Sequence, residues 1–109
     1  MSTPPPPGPN DLDLRLEPGT LTIVGEVLVM TGEVDYELVN RWREAPGLDL
    51  TGVRRVDASG VTFLGSSGLA LLAQVVRVNR EPVVLRGASR AVRALLVIIG
   101  LDRLFVVDD

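Results

Sequence analysis

The sequence predicts one α/β domain in which helices stack against a sheet of about four to six strands. After residue 32, short apolar runs alternate with segments of helical periodicity. This alternation favours parallel strands joined by right-handed helical crossovers. The length of 109 residues suits one domain, and the hydrophobic share of 46% is sufficient for a compact core.

The N-terminal part of the chain divides into a tail and the start of the domain. Residues 1–10 are rich in proline and polar residues, so we expect a disordered tail followed by a domain over residues 11–109. Residues 11–17 alternate leucines with charged residues, a pattern typical of a half-buried strand. This segment is either an added edge strand or simply extended chain.

A hairpin and a first crossover helix come next. Residues 21–24 and 27–30 are apolar runs separated by Gly25-Glu26, a pair suited to a two-residue type II′ turn. Residues 36–45 then carry apolar positions at helical spacing and are followed by Pro46-Gly47, which predicts a helix that ends there.

The second half repeats the strand and helix pattern. Residues 53–58 and 61–64 predict a strand with a turn or bulge at Ser59-Gly60, and residues 82–86 predict a buried strand. Each is followed by a predicted helix, with Ser66 or Ser67 and then Ser89 as the N-caps. The last predicted helix has a core stripe of four residues, Val92, Leu95, Leu96 and Ile99, and ends at Gly100 in the left-handed conformation. A closing strand is predicted over residues 104–107.

Composition excludes several classes of function. The chain has no His, Cys or Lys, which removes the usual nucleophilic triads, zinc sites, phosphate-binding loops and Schiff-base chemistry. We therefore expect no enzyme activity, no metal and no cofactor. A net charge of −3 with scattered arginines argues against nucleic-acid binding. We expect neither a secretory signal nor a membrane span, and therefore a cytoplasmic monomer or weak dimer that binds a protein partner.

Residues 61–70 carry the most specific signal in the chain. An apolar run stops at Gly65, two serines follow, and an apolar helical pattern begins at once. Unpaired backbone N–H groups and the helix dipole favour a serine oxygen or a phosphate at such a helix start. Ser66 and Ser67 are therefore either plain N-caps or part of a phosphorylation switch. The following helix is apolar on two sides, so its second face is either covered by a neighbouring helix or offered to a partner.

Four motifs in order resemble one known family. They are the Gly-Glu-Val-Asp run at residues 32–35, the run Asp-Ala-Ser-Gly-Val-Thr-Phe-Leu at 57–64, Ser-Ser-Gly-Leu at 66–69, and Val-Arg-Ala-Leu-Leu at 92–96 with Gly-Leu-Asp-Arg-Leu-Phe at 100–105. Over roughly residues 20–107 the chain is similar to bacterial anti-sigma factor antagonists, which are single STAS domains. The resemblance implies a mixed sheet with helices mainly on one side.

The resemblance also implies a function in partner switching. In that family the unphosphorylated antagonist binds an anti-sigma factor, usually a serine kinase, and so releases a sigma factor for transcription, whereas phosphorylation reverses the binding. The family's acceptor maps to Ser66, with Ser67 as the second choice. The predicted partner surface comprises the acidic residue of the first motif, the loop before the helix, the serines and the helix itself: Asp35, Gly65, Ser66, Ser67, Gly68 and Leu71.

One position departs from the family pattern. The family has an aspartate before the two hydroxyl residues, and this chain has Gly65. The change removes a hydrogen-bond acceptor beside the acceptor hydroxyl. A second hypothesis is therefore an accessory STAS subunit of a lipid-transport ABC system, which docks on an ATPase. Asp57 is expected to bond its own turn or to contact a partner.

Overall fold

The computed structural model describes residues 18–46 and 48–108. Within them lie five strands and three α-helices, in the order β1 (Thr20–Val24), β2 (Val27–Val34), α1 (Tyr36–Arg43), β3 (Arg55–Leu64), α2 (Ser66–Asn79), β4 (Val83–Arg86), α3 (Arg90–Ile98) and β5 (Phe105–Asp108). A short 3-10 turn, Asp102–Leu104, precedes β5. The predicted tail at 1–10 and the predicted strand at 11–17 lie outside the described residues.

The sheet has the order β1-β2-β3-β4-β5. Strands β1 and β2 are antiparallel, and each later pair is parallel, so the predicted mixed α/β sheet is confirmed. Because the strand order advances in one direction and crossovers of this kind are right-handed, the three helices are expected on one face of the sheet. The C-terminal ends of β2, β3 and β4, and the helix starts that follow them, therefore share one edge.

The N-terminal hairpin follows the sequence prediction. Val24 pairs with Val27, which leaves a two-residue loop. Gly25 has φ +63° and Glu26 has no positive φ, which fits a type II′ turn. The next strand, β2, alternates strictly, with Leu28, Met30 and Val34 fully buried. These residues form the centre of the sheet's core face.

Strand β3 runs through the predicted break at Ser59-Gly60. Val29 pairs with Asp57, and Thr31 pairs with Gly60. Between these two pairs β2 advances by two residues and β3 by three. The extra residue is a β-bulge, which bends the strand without ending it. One ten-residue strand thus leads to the serine pair.

Helix α2 is covered on its second face by α1. Arg43 Nη2 on α1 donates to Gln74 Oε1 on α2 at 2.8 Å, and Leu38 and Trp42 of α1 pack against the core. On α2 itself, Leu72 and Val75 are fully buried. Of the two alternatives for this face, the neighbouring helix is the one observed.

The core stripe predicted for the last helix is too wide. Val92 and Leu96 are buried, but Leu95 and Ile99 are exposed. The helix ends at Ile98, so Ile99 is its C-cap residue and not part of the helical stripe. Gly100 closes the helix with φ +78°, as predicted. Its N–H donates to Val97 O and the next N–H to Leu96 O, which is the Schellman arrangement.

Candidate functional site

The predicted site lies where the ends of β2 and β3 meet the starts of α1 and α2. Val34 and Leu64 are partners in the parallel ladder. The backbone N–H of Gly65 donates to the carbonyl of Val34 at 3.0 Å. This bond joins the loop before α2 to the loop before α1, so Asp35 and Ser66 belong to the same edge of the sheet.

The start of α2 differs from the prediction. Its N-cap is Gly65, with φ −84° and ψ −178°, and Ser66 is the first helical residue. The prediction that Ser66 or Ser67 caps this helix is wrong, because both serines lie beyond the cap position. The exposed hydroxyl of Ser66 makes no hydrogen bond to any residue that the structure describes. It therefore contributes no hydrogen bond to the part of the fold that the structure describes.

Ser89, the other serine predicted as an N-cap, does cap its helix. Ser89 precedes α3, and its Oγ accepts a hydrogen bond from the Val92 N–H at 3.2 Å. This is the geometry of an N-cap. Two helices in one domain thus begin with serines in different roles, one bonded and one unbonded.

Ser67 is half-buried and faces α1. It lines a hollow of about 90 Å³ together with Tyr36, Asn40, Arg43 and Ala70, among others. Its hydroxyl is less accessible than that of Ser66, since it lies between two helices.

The carboxylate of Asp35 bonds to the helix that follows it in the chain. Its Oδ1 accepts a hydrogen bond from the Leu38 N–H at 3.0 Å, which makes Asp35 the N-cap of α1. Within the described residues, no hydrogen bond or ion pair joins this carboxylate to Ser66. Asp35 therefore shapes the edge by fixing the start of α1.

Gly65 is not required by its backbone conformation, since its φ of −84° suits any residue. An added Cβ would lie 3.3 Å from Cε2 of Phe63 and 3.6 Å from the carbonyl oxygen of Val34. The phenyl ring of Phe63 thus lies beside the place where a side chain at position 65 would begin, and it would have to shift by a few tenths of an ångström.

Two residues of the predicted partner surface face inward instead. Leu71 is fully buried in the core, so the prediction that it contacts a partner is wrong. Gly68 is also buried, and a Cβ there would meet Leu64 Cδ1 and Val34 Cγ1. Its small size therefore serves the packing of α2 on the sheet. Both lie on the inner side of a helix that α1 and the sheet cover.

Asp57 bonds its own turn, the structural alternative that the sequence left open. Its Oδ1 accepts from the Ser59 hydroxyl at 2.7 Å and from the Ser59 N–H at 3.0 Å. These two bonds, in that order, hold the pKa of Asp57 below its usual value, and the charge of Arg86 adds to them. The pair stabilises the bulge in β3.

The comparison with known families agrees with this geometry. A family model described as "Mlab, STAS domain" matches residues 11–108. The chain belongs to this STAS-domain family. No curated protein matches the chain. In this STAS domain, no α-helix of the described residues is long and apolar enough to cross a membrane.

Sequence reasoning missed two exposed aromatic residues of this STAS domain. Tyr36 is the first residue of α1, and Phe63 is the next to last residue of β3. Their side chains are 67% and 51% exposed. The alternation of β3 carried the signal for Phe63, because Leu64 is its inward-facing neighbour.

Proposed function

We propose that this STAS domain is an anti-sigma factor antagonist. It binds an anti-sigma factor of the serine-kinase type and so releases a sigma factor, and phosphorylation of Ser66 switches the binding off. The observation that carries the proposal is the Ser66 hydroxyl, which is exposed at the start of α2 and bonded to no described residue. A hydroxyl with no role in the fold is available to a kinase and a partner.

The physics of the position supports a switch that acts on binding. A phosphate at the first residue of a helix lies near unpaired N–H groups and the positive end of the helix dipole, so the fold tolerates it. In a packed interface the same group brings about −1.5 to −2 charges that must be desolvated. Phosphorylation therefore opposes the complex far more than it opposes the fold.

The loss of a carboxylate at Gly65 is compatible with phosphorylation. A kinase brings its own catalytic base and metal to phosphoryl transfer, so the acceptor loop need only be reachable. Ser66 is exposed, whereas Ser67 is half-buried between two helices. Ser66 is accordingly the first acceptor and Ser67 the second.

The proposal includes how the protein acts. It works in the cytoplasm as a monomer or weak dimer, by binding and without catalysis of its own. The absence of His, Cys and Lys from the chain supports this view, since the usual nucleophiles and bases are missing.

A second candidate is an accessory STAS subunit that docks on the ATPase of a lipid-transport ABC system. Gly65 favours it, because the residue replaces the carboxylate of the antagonist motif. The surface used is the same edge of the sheet. The two candidates differ in partner class and in whether Ser66 is modified.

The test combines phosphorylation with capture from the native host. The full chain, Ser66→Ala and Ser67→Ala are incubated with the host's purified serine-kinase anti-sigma factors and ATP, and the modified site is mapped by mass spectrometry. The proposal expects phosphate on wild type and Ser67→Ala and none on Ser66→Ala. Capture of a transporter ATPase by an unmodified chain would favour the second candidate.

A further inference from the structure

The last strand of the sheet has a free edge. Within the described residues, β5 pairs with β4 and with no other strand. An edge strand presents a row of unpaired backbone groups, and such edges are usually protected by proline, by a bulge or by charged side chains along the strand. Residues 105–107, Phe-Val-Val, contain neither proline nor charge, and their ladder with β4 has no bulge. The edge of β5 is therefore open to pairing with another strand.

The bonds to β4 show which backbone groups of β5 face this free edge. The Gly87 N–H donates to the carbonyl of Asp108 at 3.2 Å, so the backbone of Asp108 faces β4. Because backbone groups alternate in direction along a strand, those of Val106 also face β4, whereas those of Phe105 and Val107 face the free edge. The Phe105 N–H bonds to the turn before the strand. The other three groups, the Phe105 carbonyl and the Val107 N–H and carbonyl, have no partner among the described residues.

The side chains of β5 expose apolar surface on both faces of the sheet. Val107 lies on the same face as the buried Phe105, yet it is 43% exposed. Val106 lies on the opposite face and is 54% exposed. A strand added at this edge would cover both valines and would also supply partners for the three backbone groups.

Opposite charges lie at the two ends of β5. Arg103 precedes the strand in the 3-10 turn, and Asp108 is its last residue. Asp102 lies one residue further from the strand, and Arg86 is the ladder partner of Asp108 on β4, on the side away from the free edge. In an antiparallel pair of β5 strands, Arg103 of each copy lies at the acidic end of the other. A parallel pair would instead bring like charges together, so the charges favour a second copy in the antiparallel direction.

We propose that β5 binds a second copy of this chain, so that the two sheets join along antiparallel β5 strands. The two Val106 residues lie opposite each other at the two-fold axis, and the Val107 N–H of each copy donates to the Phe105 carbonyl of the other. An interface of this kind uses the same surface twice and closes at two copies. Its small extent makes the dimer weak.

The dimer leaves the edge that holds Ser66 free. Because the two β5 strands run in opposite directions, the C-terminal ends of the parallel strands point in opposite directions in the two copies. The two Ser66 residues therefore lie at opposite ends of the dimer. The inference is thus independent of the proposed function, and each can fail without the other.

The experiment measures dimer formation by sedimentation velocity on the full chain. Wild type is expected to pass from monomer to dimer between about 10 μM and about 1 mM. Val107→Pro removes an N–H that faces the free edge and no bond to β4, so it should weaken the dimer by about 10-fold or more. Val24→Ser on β1 removes a valine that is 62% exposed and should stay within about 2-fold of wild type. Circular dichroism and thermal midpoints establish that each variant is folded.

Reversal of the end charges tests the antiparallel direction. Arg103→Glu and Asp108→Arg should each weaken the dimer by about 5-fold or more, because each brings like charges together in both symmetric contacts. The double variant Arg103→Glu/Asp108→Arg restores opposite charges and should regain wild-type dimerisation. Ser66→Asp should dimerise as wild type does. Wild type that stays monomeric up to about 1 mM, a double variant weaker than both single variants, or a dimer lost only in Ser66→Asp would each overturn the proposal.

Discussion

Cε2 of Phe63 lies 3.3 Å from the point where a Cβ on Gly65 would stand. The ring of Phe63 thus packs beside the glycine that stands at the motif position before the serines. The backbone of Gly65 is ordinary, with φ −84°. Its substitution is therefore governed by one contact with a partly exposed ring that can rotate away.

Gly65→Asp is expected to fold. We predict a change in the free energy of unfolding within about 1 kcal/mol, because Phe63 can move toward solvent and no left-handed backbone is involved. Gly87→Ala is the matched control, since Gly87 has φ +73° and a Cβ there would lie 2.5 Å from Ser59 Cβ. It should cost about 2 kcal/mol or more. Urea unfolding measures both, and equal losses in the two variants would contradict this account of Gly65.

Substitution of the two helix-start serines, Ser89 and Ser66, by alanine is expected to change the free energy of unfolding by different amounts. Ser89→Ala removes a cap bond to the Val92 N–H and should cost about 1 kcal/mol. Ser66→Ala removes no bond to a described residue and should change the free energy of unfolding by less than about 0.5 kcal/mol. Chemical denaturation of the two single variants decides the question. A larger loss in Ser66→Ala than in Ser89→Ala would restore Ser66 as a cap.

Asp57 predicts a pH-dependent contribution to stability. Its pKa is lower in the folded protein, mainly through the Ser59 hydroxyl, so the ionised form favours folding. This contribution is present above the unfolded pKa of about 3.9 and is lost as the pH falls through the lower folded value. The free energy of unfolding of wild type should exceed that of Asp57→Asn at pH 7, and the gap should shrink below about pH 4. A gap that stays constant from pH 7 to pH 3 would rule the contribution out.

Residues 1–10 are expected to be dispensable for folding. Four consecutive prolines with polar flanks cannot supply core contacts, and the family match begins only at residue 11. Deletion of residues 1–10 should leave the thermal midpoint almost unchanged in a calorimetric scan. A fall of several degrees would place the domain boundary before residue 11.

The sequence was sufficient for the order of strands and helices because periodicity and turn residues are local signals. The Gly25-Glu26 loop, the Ser89 cap and the Gly100 end of α3 follow from residue types at fixed positions. The inward position of Leu71 could not be predicted in the same way. A helix with two apolar sides does not say which side a neighbour covers, and here α1 covers the second.

The site was predicted in its location and not in its contacts. The loop motif predicted Ser66 at a helix start, but the N-cap residue is Gly65. Pairing of β3 with β2 holds the Gly65 N–H against the Val34 carbonyl. Bonds of this kind join residues far apart in the chain.

The measurement that tests the central claim most directly is the affinity of Ser66→Asp and Ser66→Ala for the anti-sigma factor, determined by calorimetry after both variants are shown to be folded. Burial of an unpaired charge should weaken Ser66→Asp by at least about 100-fold, on the order of 3 kcal/mol, while Ser66→Ala binds as wild type does and is insensitive to the kinase and ATP. Equal affinities for wild type, Ser66→Asp and Ser66→Ala would contradict the switch and leave Ser66 as a surface residue of a binding subunit.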